Sequence, residues 1–255
     1  MVERNTPWPP GTPNWVDLAA DDPAAAAGFY ADLFGWNCEH RNSTEYFVCS
    51  LAGEDVGGIG PKQPGMEHRE SRWTTYLATD QLERTLDAVQ AEGGRRLVGP
   101  CDIALQGRMA ITADPNGAIF GLWQAADHVG TERRSTPGSL VWSEALSRDH
   151  EAAKKFYLGL FDYRAEEVGG YDTQYAALYV GDRPVAGTGE LHPDMPKDTP
   201  PHWLPYFATA AVDTTVAQVV ERGGSLGGDL LDTDFGRMAV LSDPEGARFA
   251  VIQLG

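Results

Sequence analysis

Between Trp15 and Ala20 apolar and polar residues alternate, as a half-buried strand requires. Asp22 then stands where a helix would be capped, with Pro23 at the first helical position. Phe29, Tyr30, Leu33 and Phe34 follow at three- and four-residue spacings up to about Gly35, which predicts a helix laying one face on a sheet. Strands are expected over 46–51 and 56–59, and the glycines and prolines from Gly57 to Gly65 close the unit. The same order then recurs. A strand over 74–79 precedes a helix from about Leu82 to Glu92, stopped by Gly93 and Gly94, and strands follow near 95–98, 108–113 and 118–124. Asp114-Pro115-Asn116-Gly117 is the hairpin turn between the last two, its proline and glycine supplying the backbone angles.

The whole pattern is present twice. Asn14-Trp15-Val16-Asp17-Leu18 is matched by Val141-Trp142-Ser143-Glu144-Ala145, and Phe29-Tyr30 with Leu33-Phe34-Gly35-Trp36 by Phe156-Tyr157 with Leu160-Phe161-Asp162-Tyr163. Further on, Trp73 and Tyr76 parallel Trp203 and Tyr206, Gly107-Arg108-Met109-Ala110 parallels Gly236-Arg237-Met238-Ala239, and Asp114 to Gly117 parallels Asp243 to Gly246. Such self-similarity predicts two tandem domains, 1–127 and 128–255, with the polar, aperiodic stretch from Ala125 to Gly138 as linker. Strand, helix, then two or three strands, four times over, reads as α+β: each domain is two βαβββ units forming a curved mixed sheet with helices outside.

Composition narrows the classes of partner. A net charge of −17 would repel a polyphosphate backbone, so nucleic acid is not expected. There is no apolar run of the length a membrane helix needs, and residues 1–14 lack the basic-then-apolar order of a secretory signal, so neither a membrane association nor export is expected and the cytoplasm is the default location. Cys38, Cys49 and Cys101 are widely spaced and all in the first half, and are read as ordinary small residues rather than disulfide or zinc partners. No phosphate loop, dinucleotide fingerprint or nucleophile elbow is present, so no nucleotide cofactor is implied.

Trp-Val-Asp-Leu, the Asp-Pro helix start, Phe-Tyr ahead of Leu-Phe-Gly-Trp, and Gly-Arg-Met-Ala followed by Asp-Pro-Asn-Gly and Leu-Trp-Gln resemble the vicinal oxygen chelate superfamily, which includes glyoxalase I, extradiol dioxygenases and bleomycin-resistance proteins. Over nearly its full length the chain resembles the actinobacterial two-domain glyoxalase-like proteins often labelled hydroxylase. The scaffold hosts isomerases, dioxygenases, lyases and binding proteins alike, so the resemblance implies a fold more than an activity.

Metal-using members of that superfamily take a ligand from the first strand of each unit and a Glu from the last. Here the resemblance places Trp15 and Trp142 at the first position and Gly121 and Ala250 at the last, with Trp73 to Thr75 or Trp203 to Pro205 between them. An indole or an aliphatic group offers no lone pair suited to a divalent cation, so no metal and no other cofactor is expected. His202 lies beside an expected ligand position and alone does not make a site; His40, His68, His128, His150 and His192 have no partners at ligand spacing.

Trp15, Trp73 and Tyr76, and in the second copy Trp142, Trp203 and Tyr206, either floor a cup for a flat apolar or aromatic ligand or fill an ordinary core. Asp17 and Glu144 share a strand face with Trp15 and Trp142. A carboxylate among indoles is a candidate general base, and the alternative is a buried ion pair with Arg108 or Arg237. Cys49, Cys101 and Trp123 in copy one stand near Tyr179, Leu230 and Ile252 in copy two, and only copy two has the loop from His192 to Pro196, so one cup is expected to keep the activity. Three functions compete: a binding protein for a small hydrophobic or aromatic metabolite, a metal-free isomerase, cyclase or hydroxylase-type enzyme using Asp17 or Glu144, and a metal-dependent lyase or dioxygenase. A homodimer is left open.

Overall fold

A computed structural model describes residues 6–41, 45–62, 70–169 and 173–254. The first copy runs β1 (Pro13–Ala20), α1 (Pro23–Phe34), β2 (Asn37–His40), β3 (Phe47–Leu51), β4 (Glu54–Pro61), β5 (Arg72–Ala78), α2 (Leu82–Ala91), β6 (Arg95–Ile103), β7 (Gly107–Ala113) and β8 (Ile119–Ala125). The second runs β9 (Leu140–Ser147), α3 (His150–Leu160), β10 (Arg164–Glu167), β11 (Tyr175–Val180), β12 (Arg183–Glu190), β13 (His202–Ala208), α4 (Val212–Glu221), β14 (Ser225–Leu226), β15 (Leu231–Thr233), β16 (Gly236–Ser242) and β17 (Arg248–Gln253). His68 lies outside the described residues, as does part of the predicted Gly57–Gly65 boundary.

Local chemistry sets the helix ends. Asp22 accepts from the amides of Ala24 and Ala25 at 3.1 and 3.0 Å, and Gly35 ends α1 in the left-handed region at φ 73°, its N–H returning to the Ala31 carbonyl. Asp149 caps α3 in the same way. Asp114 and Asp243 each pin their own hairpin, accepting from Gly117 and Ala118 in one case and from Glu245 and Ala247 in the other.

Each copy is one mixed sheet. The first has the order β2-β3-β4-β1-β5-β8-β7-β6 and the second β10-β11-β12-β9-β13-β17-β16-β14, with β15 alongside β16. At the centre of each, the first strands of the two units pair antiparallel, β1 with β5 and β9 with β13. All four helices lie against the same sides of these sheets as the two principal cores, and the cores mix the copies. One joins Val16, Leu18, Tyr30, Phe34 and Trp73 to Phe207, Phe249 and Val251; the other joins Leu82, Phe120 and Leu122 to Phe156, Tyr157 and Trp203. The first unit of copy one thus buries itself against the last unit of copy two, and the middle units do the same with each other.

One expectation is corrected at this level. Cys38 and Cys49 are directly opposite on β2 and β3 and form a disulfide, with Cα atoms 4.0 Å apart, while Cys101 is a free thiol. Strand register, which spacing along the chain does not specify, creates that pair. The linker is no loose tether: Thr131 is buried and donates its amide to the Asn14 carbonyl at 2.7 Å, the Glu132 amide bonds to the Asp55 carbonyl, and Arg133 pairs with Glu54 at 2.5 Å.

Candidate functional site

The strand faces opposite the helices form two cups. In the first sheet Trp15 and Asp17 stand on β1 beside Tyr76 on β5, with Met109, Ile111 and Trp123 around them. Asp17 Oδ1 accepts from Trp15 Nε1 at 2.6 Å and from the Tyr46 hydroxyl at 2.5 Å, and the Tyr76 hydroxyl is a third donor. Burial raises the Asp17 carboxyl above the ordinary aspartate range, and these hydrogen bonds pull it partly back. The tyrosines are pushed well up, by burial first and by the neighbouring Asp17 second, so both remain donors.

The second sheet repeats the cluster with one carbon more. Glu144 Oε1 accepts from the Tyr206 hydroxyl at 2.7 Å, Tyr175 is a second donor to the carboxyl, and Trp142 Nε1 donates to the Tyr175 hydroxyl at 2.8 Å. Burial again raises the acid. Tyr46 and Tyr175 are functional candidates that the sequence reading passed over. Their signal was the Gly-x-Gly of the following strand: a Cβ on Gly58 would lie 1.8 Å from the Tyr46 hydroxyl, and one on Gly187 would lie 2.0 Å from that of Tyr175, so only glycine lets each ring cross.

Four of the proposed ligand-binding residues lie elsewhere. Trp73 and Trp203 point to the helix side, where their indole nitrogens donate to Tyr30 at 3.0 Å and Tyr157 at 2.8 Å. Three residues along a strand reverses the face, so neither shares a cup with Tyr76 or Tyr206. Arg108 pairs with Glu83 and Asp102, and Arg237 with Asp213 and Asp232, all on the outer helix side. The buried ion pairs weighed for Asp17 and Glu144 are therefore not formed; indole and phenol donors take the place of arginine. His202 does belong to the second cup's face, at the start of β13 opposite Leu146. Its Nδ1 lies 2.9 Å from the Pro200 carbonyl and its Nε2 is buried without a hydrogen-bond partner.

The two cups differ in access. His128 stacks edge-on against Trp15 at 4.4 Å and against Trp123 at 5.6 Å, and the Trp123 indole donates to the His128 carbonyl, so the linker plugs the first cup. Trp15, Tyr76 and Trp123 are consequently buried. In the second cup Trp142, the counterpart of Trp15, is half-buried, and among the described residues no linker ring stacks on it; Leu204, Tyr206 and Ile252 there are buried, and in the first cup Val48, Met109 and Ile111 are half-buried.

Trp15 and Gly121, where the resemblance puts the first and last ligands, flank Tyr76 across β1, β5 and β8, and Trp142 and Ala250 flank Tyr206 across β9, β13 and β17; the strand partner between them is thus Tyr76 or Tyr206 and not a residue of the expected Trp73–Thr75 or Trp203–Pro205. The Tyr76 ring lies over Gly121, where a Cβ would come within 2.1 Å of it. These residues do not fit a divalent cation, which needs several oxygen or imidazole donors. Among the described residues one group of acids and histidine lies within common reach of an ion, His150, Glu151 and Glu167, away from both cups; Lys154 bridges its two carboxylates at 2.6 and 2.8 Å. No helix among the described residues is long and apolar enough to cross a membrane.

The family model of the Glyoxalase/Bleomycin resistance protein/Dioxygenase superfamily matches residues 12–122 and 139–251. CFP32 of Mycobacterium tuberculosis, a glyoxylase by name, is 38% identical over 252 residues, covering 95% of each chain. The anthracycline biosynthesis protein DnrV of Streptomyces peucetius is 35% identical over 264 residues, covering 98% of this chain and 95% of its own. Among solved structures, the Mn(II)-bound glyoxalase of Novosphingobium aromaticivorans superposes with a TM-score of 0.65 at 16% identity, covering 96% of this chain and 85% of that one, a likeness of fold.

Proposed function

Because the chain belongs to the glyoxalase/bleomycin resistance protein/dioxygenase superfamily, we propose that it binds a small hydrophobic or aromatic metabolite in a cup that uses no metal, with the chain divided into units 1–127 and 128–255. The observation that carries this reading is the replacement, in both sheets, of the ligand row by aromatic rings around a hydrogen-bonded carboxyl. Such a floor matches a flat ring by area and by edge-to-face contact. DnrV, named for anthracycline biosynthesis, supports a place in antibiotic or other secondary metabolism. Tryptophan fluorescence against a panel of aromatic metabolites, run with elemental analysis of the same sample, tests it. Quenching by some members without stoichiometric metal is the expected result. A flat response to the whole panel, or stoichiometric iron, zinc, nickel or manganese, would overturn the reading.

A second reading, a metal-free enzyme, is favoured by one observation: Glu144 is a carboxyl with a raised pKa beside half-buried cup residues. A carboxyl raised by burial is, once ionised, a stronger proton acceptor than an ordinary glutamate, which supports this reading. Glu144→Gln separates the two, since an enzyme loses turnover while keeping its ligand and a binding protein has no turnover to lose.

A further inference from the structure

The second cup contains a cation that the sequence reading did not single out. Along β17, Phe249 and Val251 go to the helix-side core, so Arg248, Ala250 and Ile252 face the cup. Tyr206 is paired with Ala250, which puts Arg248 beside Leu204, and Leu204 is itself opposite Glu144. Glu144, Leu204 and Arg248 therefore form one row, with the backbones of the acid and the arginine two strand spacings, or about 10 Å, apart. Leu204, buried, lies between them in that row.

Arg248 is half-buried, and its guanidinium makes no hydrogen bond or ion pair with another side chain or carbonyl among the described residues. A guanidinium in that condition is unusual, because arginine that loses water normally gains a carboxylate or carbonyl in exchange. Its partial burial lowers its pKa, consistent with a cation that lacks a protein counter-charge. Titratable groups on the same face include His202, whose pKa is lowered by burial first and also by the field of Arg248, and Glu144 with its phenol donors Tyr206 and Tyr175. His202 contributes a second open valence. The Pro200 carbonyl can only accept, so Nδ1 carries the ring proton and Nε2 presents a lone pair with no donor. In the first sheet the position of Arg248 is Ile119, and Arg72, in the place of His202, is already engaged.

Resting on the binding reading above, we propose that the second cup is the ligand site and that its ligand is an aromatic acid: an ionised carboxylate meets Arg248, a neighbouring hydroxyl donates to His202 Nε2, and the ring lies against Trp142, Leu204 and Ile252. Guanidinium pairs with carboxylate through two parallel hydrogen bonds, which fixes orientation as well as charge. The first cup, closed by His128, holds no ligand.

Calorimetric titration of the full chain with three probes tests this: 2-naphthoate, 3-hydroxy-2-naphthoate and the neutral 2-naphthamide. In the wild-type protein the acid binds at least tenfold more tightly than the amide, and the hydroxy-acid more tightly than the acid. Arg248→Gln removes the preference for acid over amide while leaving amide affinity unchanged; Arg248→Lys restores part of it; Arg237→Gln, on the outer side, changes nothing. His202→Phe erases the advantage of the hydroxy-acid alone. Trp142→Phe abolishes fluorescence quenching by the acid and Trp15→Phe does not. Equal affinity for acid and amide in the unaltered protein overturns the inference and leaves the binding reading standing. Binding of none of the three removes both.

Discussion

The Tyr30 hydroxyl, on the first helix of copy one, donates to Asp243 Oδ2 in the last hairpin of copy two at 3.0 Å, and Tyr157 does the same to Asp114 at 3.2 Å in the opposite sense. Each tyrosine also receives a tryptophan indole, Trp73 or Trp203. Two three-membered relays, indole to phenol to carboxylate, therefore staple the copies together. They explain why Phe-Tyr and Asp-Pro-x-Gly recur: these motifs hold the copies to one another rather than to a ligand.

Tyr30→Phe leaves the Trp73 indole without an acceptor and strips one donor from a buried carboxylate. A loss of about 1–3 kcal/mol is expected, from the cost of unsatisfied buried groups. Tyr157→Phe should cost a similar amount, and the two losses should add, since the relays share no residue. Urea denaturation followed by tryptophan fluorescence measures each. A change within a few tenths of a kcal/mol for both variants would show that the staples carry no stability.

Asp17 and Glu144 occupy equivalent places with different consequences. Asp17 is enclosed by three donors under a plugged cup, so Asp17→Ala should destabilise the protein by about 1–3 kcal/mol and leave the affinity for an aromatic acid unchanged. Glu144→Ala, in the open cup, should alter that affinity as well. Paired denaturation and calorimetry on both variants check this. A folded Asp17→Ala protein that had lost ligand would reverse the assignment of the cups.

Much of this architecture was legible from residues alone, for reasons that are local. Asp22 and Pro23 start α1 and Gly35 stops it, and the 127-residue offset carries the same plan to the second copy. What escaped was pairing across the sheet. Trp73 and Tyr76 are three apart, an odd number, and so face opposite ways; placing both in the cup required ignoring strand parity. Arg108 and Arg237 are displaced for the same reason. Tyr46 and Arg248 reach the cups only through register between strands, and Cys38 meets Cys49 only once β2 and β3 are aligned.

That cysteine pair gives a direct count. Protein purified without reductant should label at one thiol under native conditions, Cys101, and at three after denaturation and reduction. The pair closes a short hairpin separated by 11 residues, so Cys38→Ser with Cys49→Ser should lower stability by no more than about 3 kcal/mol, the loop-entropy limit for that length. Three thiols in the unreduced native protein would exclude the disulfide. Because a reducing compartment opposes such bonds, the same count made on protein trapped with alkylating agent inside cells reads the compartment in which the chain resides.

The plug of the first cup predicts a pH dependence with a definite sign. Burial holds the His128 imidazole down from its ordinary value of 6.5 to about 4, against a smaller upward pull from Asp55, whose Oδ2 lies 3.8 Å away. An imidazole that is neutral when folded and protonates on unfolding makes the unfolded chain the better proton binder between those two values. Its contribution is therefore complete above about pH 6.5, declines as the pH falls through the window, and stops changing below about 4. Over that interval it amounts to about 3 kcal/mol at most. Asp17, Asp114, Glu144 and Asp243, all raised, act in the opposite direction, and His150 and His202 act in the same one, so the wild-type curve alone does not isolate it. The difference between the wild-type protein and His128→Gln does. Denaturation midpoints for the two should diverge least at pH 4 and most at pH 7, with the wild type gaining on the variant as pH rises. Parallel curves across that range would mean that His128 is not enclosed against Trp15, and the first cup would then be as open as the second.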